Sequence, residues 1–369
     1  MRIVIDARML YWPGVGRYSK ALLDNFEDLD HTNEYVVLRR PEDRGLWEPT
    51  ATNFKVVDVN INPYTLGEQS RLAGIVHQLN PDLVHFTTPN APVMYRGKRI
   101  VTVHDLTLLD YDTSRGTGVS KVVKKLKRVP FHRILSENVR SAQALITPTE
   151  YVKSQLVRRF NVAAKRVHVT HLAADPSMAK PEPLDRFKIG GEYLLFVGAV
   201  YPYKNAGAIV EALKTLSPKY PQLKLVVTSR PGFFREELLG LAARLGVADR
   251  LVLTGYVSDG ELVSLYQKAA LYVYPSFSEG FGLEGLEAMA QGLPVLAARS
   301  SSLPEVCGDA AEYFDPYNTV ELAEKIDALL SDDSRRRRLR QLGDVQYRRY
   351  SWHATAEQTL SLYKQLLKS

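Results

Sequence analysis

The chain has 369 residues, more than one hydrophobic core usually supports, so two domains are expected. Hydrophobic residues make up 45% and charged residues 24%, a mixture that excludes a disordered or fibrous protein. The net charge of +7 resides in one stretch, residues 115–140, so a uniformly basic, nucleic-acid-binding protein is not favoured.

Three further features concern the cellular compartment. The single cysteine, Cys307, cannot form an internal disulfide. No apolar run approaches the roughly 20 residues that a membrane-spanning helix needs. The N-terminus reaches an acid at Asp6 and lacks the apolar region of an export signal. These features predict a cytoplasmic protein that makes at most peripheral contact with the inner face of a membrane.

Aliphatic and β-branched runs alternate with amphipathic stretches in the first half of the chain. This alternation is typical of βαβ units with parallel sheets. We predict an N-terminal domain over residues 1–178, with strands at 2–6, 35–39, 55–59, 83–86, 99–103, 144–147 and 167–170.

A polar segment with three prolines, residues 175–191, is typical of a linker. A second βα series then begins, and we place a C-terminal domain at 190–350, with strands at 193–198, 223–228, 251–254, 271–274 and 294–297. Apolar residues recur at helical spacing in 352–369, and this helix is expected to pack back on the first domain. The predicted fold class is α/β, with two doubly wound Rossmann-like domains facing a central crevice that binds the ligand.

Two features of the first domain lie where predicted strands end. The loop after the first strand contains Gly14 and Gly16, which let backbone approach a ligand, although a simple tight turn explains them equally well. Ser19 occupies the third glycine position of a dinucleotide fingerprint, which weakens a dehydrogenase interpretation. His104 ends another strand, where a lone histidine is more often structural than catalytic.

The basic stretch includes residues 120–133, in which Val122, Leu126 and Val129 form an apolar stripe among lysines and arginines. Such a helix can lie on an anionic membrane surface. A solvated face whose apolar stripe packs on the first domain is at least as consistent with the sequence.

The second domain offers two cations after predicted strands. Lys204 lies between a strand and a helix, where an ammonium could neutralise a diphosphate. Arg230 follows the next strand and is a hypothesis for a second cation. For both, an ordinary exposed side chain is the alternative.

The strongest local signal is the segment 275–290, in which a glycine-containing loop joins a strand to a helix that begins near Leu283. The unpaired amides of such a helix start attract phosphate and hydroxyl oxygens. Glu279 lies before the helix and Glu287 lies inside it, so both carboxylates can face one ligand.

This segment resembles the E-x7-E signature of retaining glycosyltransferases of family 4, which have the two-domain GT-B fold. The stretches Gly292–Val295 and Ser301–Ala311 and the triplet Tyr350-Ser351-Trp352 continue the resemblance. It implies an acceptor-side first domain and a second domain that binds the nucleotide sugar.

The family's site residues carry over to matching positions. The resemblance implies that Glu279 contacts donor-sugar hydroxyls, Glu287 contacts the ribose and Lys204 contacts the diphosphate. It implies donor-binding or catalytic roles also for Gly14, Gly16, His104, Gly280, Phe281, Gly282 and Leu283. Many members carry Arg after the first glycine of the Lys204 loop, where this chain has Ala199, so Arg230 is our candidate for the missing cation.

We expect no essential metal or other cofactor. Two D-x-D patterns, at residues 28–30 and 110–112, match the metal-binding motif of another transferase fold, but so short a pattern occurs often by chance. Lysine and helix amides would stabilise the leaving diphosphate instead.

The resemblance predicts a retaining glycosyltransferase that moves a sugar from a nucleotide diphosphate to a hydroxyl of a saccharide or lipid-linked acceptor. The segment around Lys204 and the Ser-Ser-Leu-Pro-Glu run resemble mannosyltransferases of polysaccharide assembly, which favours GDP-mannose over UDP-glucose or another UDP-sugar as donor. A nucleotide-sugar epimerase and a catalytically silent saccharide-binding subunit remain open.

Overall fold

A computed structural model describes residues 1–113, 121–175 and 179–368, and for residues 121–129 it describes the backbone alone. Contacts divide the chain into two compact units. In the described residues, the first unit comprises 1–106, 121–172 and 351–368, and the second comprises 107–113, 173–175 and 179–350.

The strands, in chain order, are β1 (Arg2–Asp6), β2 (Glu34–Arg39), β3 (Phe54–Asp58), β4 (Leu83–Phe86), β5 (Arg99–Thr102), β6 (Ala144–Thr147), β7 (Val167–Val169), β8 (Tyr193–Val197), β9 (Lys224–Thr228), β10 (Leu251–Leu253), β11 (Leu271–Tyr274), β12 (Val295–Ala298) and β13 (Ala311–Phe314). The helices are α1 (Val15–Leu29), α2 (Leu66–Gln78), α3 (Thr107–Asp110), α4 (Lys121–Ser141), α5 (Glu150–Phe160), α6 (Ala206–Leu216), α7 (Phe233–Arg244), α8 (Asp259–Lys268), α9 (Leu283–Ala290), α10 (Leu303–Cys307), α11 (Thr319–Ser331), α12 (Asp333–Tyr347) and α13 (Trp352–Lys368).

The first unit is built on a parallel sheet of seven described strands, in the order β3-β2-β1-β4-β5-β6-β7. At its centre, Ile3 of β1 is in register with Tyr35 of β2 and with Leu83 of β4. Central strands such as β1 and β4 are buried almost throughout, which explains their continuous apolar sequence, since parallel sheets are covered on both faces.

Helix α13 belongs to this first unit and is fixed there by a buried polar contact. The hydroxyl of Tyr363 on α13 contacts His85 Nδ1 of β4, and the other ring nitrogen of His85 lies 2.7 Å from Thr102 Oγ1 of β5. Phe26 of α1 packs edge-on against Tyr363, with ring centroids 5.7 Å apart. The apolar stripe predicted for this helix is buried at Ala356, Leu360 and Tyr363 and half-buried at its two ends.

The second unit contains a parallel sheet of six described strands, in the order β10-β9-β8-β11-β12-β13. Helix α8 begins with a capping box, in which Ser258 and Glu261 each bond the other's backbone amide. Helices α11 and α12 begin with side-chain caps from Asn318 and Asp332. These side-chain caps explain where α8, α11 and α12 start, because each cap satisfies a backbone amide that the first turn of a helix leaves unpaired.

Both sheets confirm the predicted fold class of two parallel, Rossmann-like α/β folds. Each strand predicted in the sequence is present, with ends that differ by at most one residue. Strand β13 was not predicted, because Ala311–Phe314 is a short sequence with a glutamate and only half of its residues are fully buried.

Two findings bear on the membrane. In the described part of the chain, no helix is both long and apolar enough to cross a bilayer. The lysine and arginine side chains at 121–128, on which the predicted membrane contact depends, lie outside the described residues.

Candidate active site

The loop after β11 is held in place by consecutive serines. The amide of Glu279 donates to Ser301 Oγ at 2.9 Å. Ser302 Oγ lies 3.0 Å from the Glu279 carbonyl and 3.1 Å from the Phe281 carbonyl, and donates to them. The Ser301-Ser302 pair that carried part of the sequence resemblance therefore fixes the backbone on both sides of Gly280.

Helix α9 begins at Leu283 directly after this loop, as predicted. Its N-cap residue, Gly282, has φ +97°, and a Cβ there would lie 2.7 Å from Leu303 Cδ2, so a side chain would be strained and would displace Leu303. Gly282 has no side chain that could cap the helix, and in the first turn the Glu284 carboxylate bonds its own backbone amide. Phe281 is buried and packs edge-on against Tyr350 at 5.5 Å. Leu283, the first residue of the helix, is half-buried.

Lys204 is buried between two carboxylates. It ends the 3₁₀ turn Pro202–Lys204 after β8, and its Nζ lies 2.9 Å from Glu279 Oε1 and 3.3 Å from Glu284 Oε1. The side chains of Lys204, Glu279 and Glu284 are 9%, 11% and 26% exposed. The alternative of an ordinary exposed lysine is therefore wrong.

The charges in this cluster shift one another's pKa values. Burial disfavours the ammonium of Lys204, but the two carboxylates outweigh it and raise its pKa. Burial raises the pKa of Glu279 against the opposing effect of Lys204. Burial also opposes ionisation of Glu284, yet Lys204, the Glu284 backbone amide and the Tyr274 hydroxyl together lower its pKa. Lys204 is thus a permanent cation in this site.

Glu287 lies one turn into α9 and is 3% exposed. Tyr266 Oη donates to Glu287 Oε2 at 3.0 Å. The buried tyrosine hydroxyl, whose own pKa is raised by burial and by Glu287, fixes the orientation of this carboxylate.

Arg230 lies just beyond the carboxyl end of β9 and is exposed. Among the described side chains it forms no ion pair within 4.0 Å. Its position is compatible with the second-cation hypothesis, which remains a prediction.

His104 belongs to the first unit, just after β5. Its Nε2 lies 3.0 Å from the Thr87 carbonyl and must donate to it, since a carbonyl only accepts. The ring packs edge-on against Tyr18 at 4.9 Å. Burial lowers the pKa of His104, against the opposing effects of the Thr87 bond and Asp105, so the ring is neutral near pH 7 and Nδ1 is a hydrogen-bond acceptor.

Gly14 and Gly16 lie at the start of α1 in the first unit. Gly14 is the N-cap, with φ +76°, and a Cβ there would meet nothing within 4 Å. At Gly16 a Cβ would lie 2.0 Å from the Leu10 carbonyl oxygen. The loop's own packing thus requires Gly16, whether or not a ligand approaches.

Sequence reasoning missed three residues of the second unit: Glu284, Tyr274 and Tyr266. Tyr274 Oη donates to Glu284 Oε2 at 2.8 Å. An acid in the first turn of α9 was visible in the sequence, but its ion pair with Lys204 joins residues far apart in the chain. In the sequence, nothing distinguished Tyr274 from the other residues of an apolar strand, or Tyr266 from the other residues of a helix.

In the described part of the chain, no three His, Cys, Asp or Glu side chains cluster so that they could hold a metal ion. Asp30, from one D-x-D pattern, instead accepts hydrogen bonds from Thr32, Asn33 and Tyr35 in the turn after α1. It has a structural role in that turn.

Two family models together match most of the chain. The model described as Glycosyltransferase Family 4 matches residues 12–177, and the model described as Glycosyl transferases group 1 matches residues 185–344. Each match falls on one of the two parallel-sheet folds.

Individual proteins are also similar to this chain, in sequence or in structure. The O-antigen chain mannosyltransferase B of Escherichia coli is 28% identical, over 99% of this chain and 100% of that protein. The MMP alpha-(1->4)-mannosyltransferase of Mycolicibacterium hassiacum is 30% identical, over 62% of this chain and 55% of that protein. The solved structure of sucrose-phosphate synthase from Thermosynechococcus elongatus superposes with a TM-score of 0.77 at 18% identity, over 100% of this chain and 99% of that one.

The two parallel, Rossmann-like sheets and the matched solved structure show the GT-B fold. The chain belongs to the group 1, family 4 glycosyltransferases, so the family resemblance found in the sequence is confirmed.

Proposed function

We propose that this enzyme transfers mannose from GDP-mannose, with retention of the anomeric configuration, to a hydroxyl of a saccharide or lipid-linked acceptor. The observation that carries the choice of mannose is the 28% identity, over nearly the whole of both chains, to a protein named as an O-antigen chain mannosyltransferase. Retention is implied by the family 4 resemblance.

The cluster around Lys204 supports a role in stabilising the leaving nucleotide. As the glycosidic bond breaks, negative charge grows on the diphosphate, and a buried, permanently charged ammonium stabilises that charge more strongly than an exposed one. The start of α9, whose N-cap Gly282 has no side chain, presents the positive end of the helix dipole beside the same loop. Lys204 and this helix start support catalysis without an essential metal.

Glu279 is the residue that we assign to the donor sugar. Its carboxylate is oriented by Lys204 and its backbone amide is held by Ser301, so it can accept hydrogen bonds from sugar hydroxyls at a fixed position. Glu287, oriented by Tyr266, would accept from the ribose hydroxyls. Arg230 would add a second cation at the diphosphate.

In the first unit, His104 is the proposed sugar contact. Its neutral ring has Nδ1 as an acceptor, which suits a hydrogen bond from a sugar hydroxyl and requires no proton abstraction. We assign the loop with Gly14 and Gly16 to the donor phosphates.

The membrane contact of residues 120–133 is part of the proposal and is tested separately. In flotation with anionic liposomes, the wild type should float with the vesicles, and a Lys124, Lys125, Lys127→Glu triple variant should not. Equal recovery of the two proteins would remove the membrane contact from the proposal.

Donor turnover tests the function. The purified enzyme is assayed with GDP-mannose and UDP-glucose, with and without EDTA, and the anomeric configuration of the product is read by NMR. We expect turnover of GDP-mannose, unaffected by EDTA and reduced about 10-fold or more in Glu279→Ala. Glu324→Ala, which removes an exposed acid of α11, is the matched control.

Other results would each refute a defined part of the proposal. A preference for UDP-glucose would refute the assignment of GDP-mannose as donor. Loss of activity in EDTA would refute the proposal that no metal is essential. Isomerised donor without released nucleoside diphosphate would indicate an epimerase, and nucleotide binding without turnover a silent subunit.

A further inference from the structure

Glu284 lies where an anionic ligand of Lys204 would be expected. It is the second residue of α9, directly after the N-cap Gly282 and Leu283, and its carboxylate also bonds its own backbone amide. One carboxylate oxygen is 3.3 Å from Lys204 Nζ, and the other accepts the hydrogen bond from Tyr274. A Cβ at Gly198, where the loop after β8 begins, would lie 3.5 Å from Glu284 Oε1, the oxygen that faces Lys204. A phosphate bound to Lys204 and to this helix start would compete with that carboxylate.

The charges of the cluster do not balance. One ammonium faces two carboxylates, and all three side chains are largely buried. Lys204 is therefore already paired with carboxylates before any ligand binds, so an anionic diphosphate must compete with them for its charge.

The two carboxylates differ in how easily they could release Lys204. Glu279 is 11% exposed and its backbone is fixed by Ser301 and Ser302. Glu284 is 26% exposed and is farther from Nζ, at 3.3 Å against 2.9 Å. Glu284 is thus the carboxylate that can move away, while Glu279 keeps Lys204 in place.

We infer that Glu284 is a positioning residue which holds Lys204 in the empty enzyme and is displaced from it when the donor diphosphate binds. This inference rests on the proposed function, since it requires that a diphosphate donor binds at Lys204. Glu284 then sets donor affinity, because part of the attraction between diphosphate and Lys204 is spent on replacing this carboxylate.

Binding measurements with charged and uncharged ligands test the inference. Calorimetry gives the Kd of GDP and of guanosine for the wild type, Glu284→Gln and Glu324→Gln, with UDP and uridine in parallel. In Glu284→Gln the Kd of GDP should fall roughly threefold or more, since one competing charge has been removed. The Kd of guanosine should not change, because guanosine has no phosphate. Glu324→Gln makes the same change in net charge at an exposed site and should match the wild type for both ligands.

A second variant keeps the carboxylate and covers the case in which Glu284→Gln does not fold. Tyr274→Phe removes the hydrogen bond that restrains Glu284, so the Kd of GDP should again fall while that of guanosine stays constant. Unchanged or weaker GDP binding in a folded Glu284→Gln or Tyr274→Phe variant overturns the inference and leaves the proposed function standing. A wild type that turns over neither donor and binds neither GDP nor UDP defeats both.

Discussion

Lys204 Nζ lies 2.9 Å from Glu279 Oε1, with both side chains about nine-tenths buried. The sequence suggested separate roles for these residues, one at the diphosphate and one at the sugar. Their contact makes the roles interdependent, because Lys204 neutralises Glu279 and Glu279 orients Lys204. Any substitution of one residue therefore changes the charge that surrounds the other.

Substitution of Lys204 should cost stability as well as activity. Lys204→Ala leaves Glu279 and Glu284 without their shared cation, and breaking a buried ion pair in this way costs about 3 kcal/mol of unfolding free energy. Donor turnover should fall about 10-fold or more. Urea denaturation and a donor assay on the same preparation measure the two effects.

A double variant separates the two effects of Lys204. Lys204→Met combined with Glu279→Gln removes one charge of each sign and should recover part of the unfolding free energy while remaining inactive. If the midpoint of urea unfolding is the same for Lys204→Ala and for the wild type, the buried cluster does not contribute to stability.

Arg230 provides a second prediction. Arg230→Ala should raise the donor KM severalfold at unchanged melting temperature, because the side chain is exposed but lies at the carboxyl end of β9. Arg244→Ala is the matched control, since Arg244 is also exposed but ends α7 in the same unit. Steady-state kinetics with the preferred donor decide the point, and equal KM values for the two variants would exclude Arg230 from the site.

The sequence predicted the fold well because its information is local. Short continuous apolar runs such as Tyr193–Val197, alternating with helical patterns, predict buried strands of a parallel sheet, and the glycine loop before Leu283 predicts a helix start. Strand β13 escaped because a glutamate interrupts its apolar pattern.

The contacts of the site were less predictable, for physical reasons. The pairing of Lys204 with Glu284 depends on how β8 and β11 are placed in the sheet, which no local pattern encodes. For Gly16 the glycine motif was visible in the sequence. The close approach of the Leu10 carbonyl, which is why a glycine is needed there, was not visible.

Gly16 should be far less tolerant of alanine than Gly14. In Gly16→Ala the new Cβ would lie 2.0 Å from the Leu10 carbonyl oxygen, so the start of α1 must shift. Gly14→Ala meets no neighbour but must adopt the strained γ-turn conformation of Gly14, with φ +76° and ψ −68°, at a cost of about 1–3 kcal/mol. Chemical denaturation should rank Gly16→Ala clearly below Gly14→Ala, and donor KM should rise more in Gly16→Ala. The reverse order would contradict the structure of this loop.

His85 should make the protein less stable in mild acid. Burial lowers the pKa of His85 to about 3, from an ordinary value of 6.5. The unfolded chain therefore binds a proton that the folded protein excludes, and stability that is present above pH 6.5 is lost as the pH falls towards 3. From these two values the loss at pH 5 is about 2 kcal/mol. His104, whose pKa is also lowered by burial, acts in the same direction.

Urea denaturation between pH 7.5 and pH 5 measures this loss. His85→Asn should be less stable than the wild type at pH 7.5, because the contacts with Tyr363 and Thr102 are disturbed, but should lose less stability on acidification. His353→Asn, which removes an exposed histidine of α13, is the matched control. Identical slopes for the wild type and His85→Asn would mean that His85 does not exclude a proton in the folded state. In that case the neutral ring between Tyr363 and Thr102 could not be what holds α13 on the first sheet.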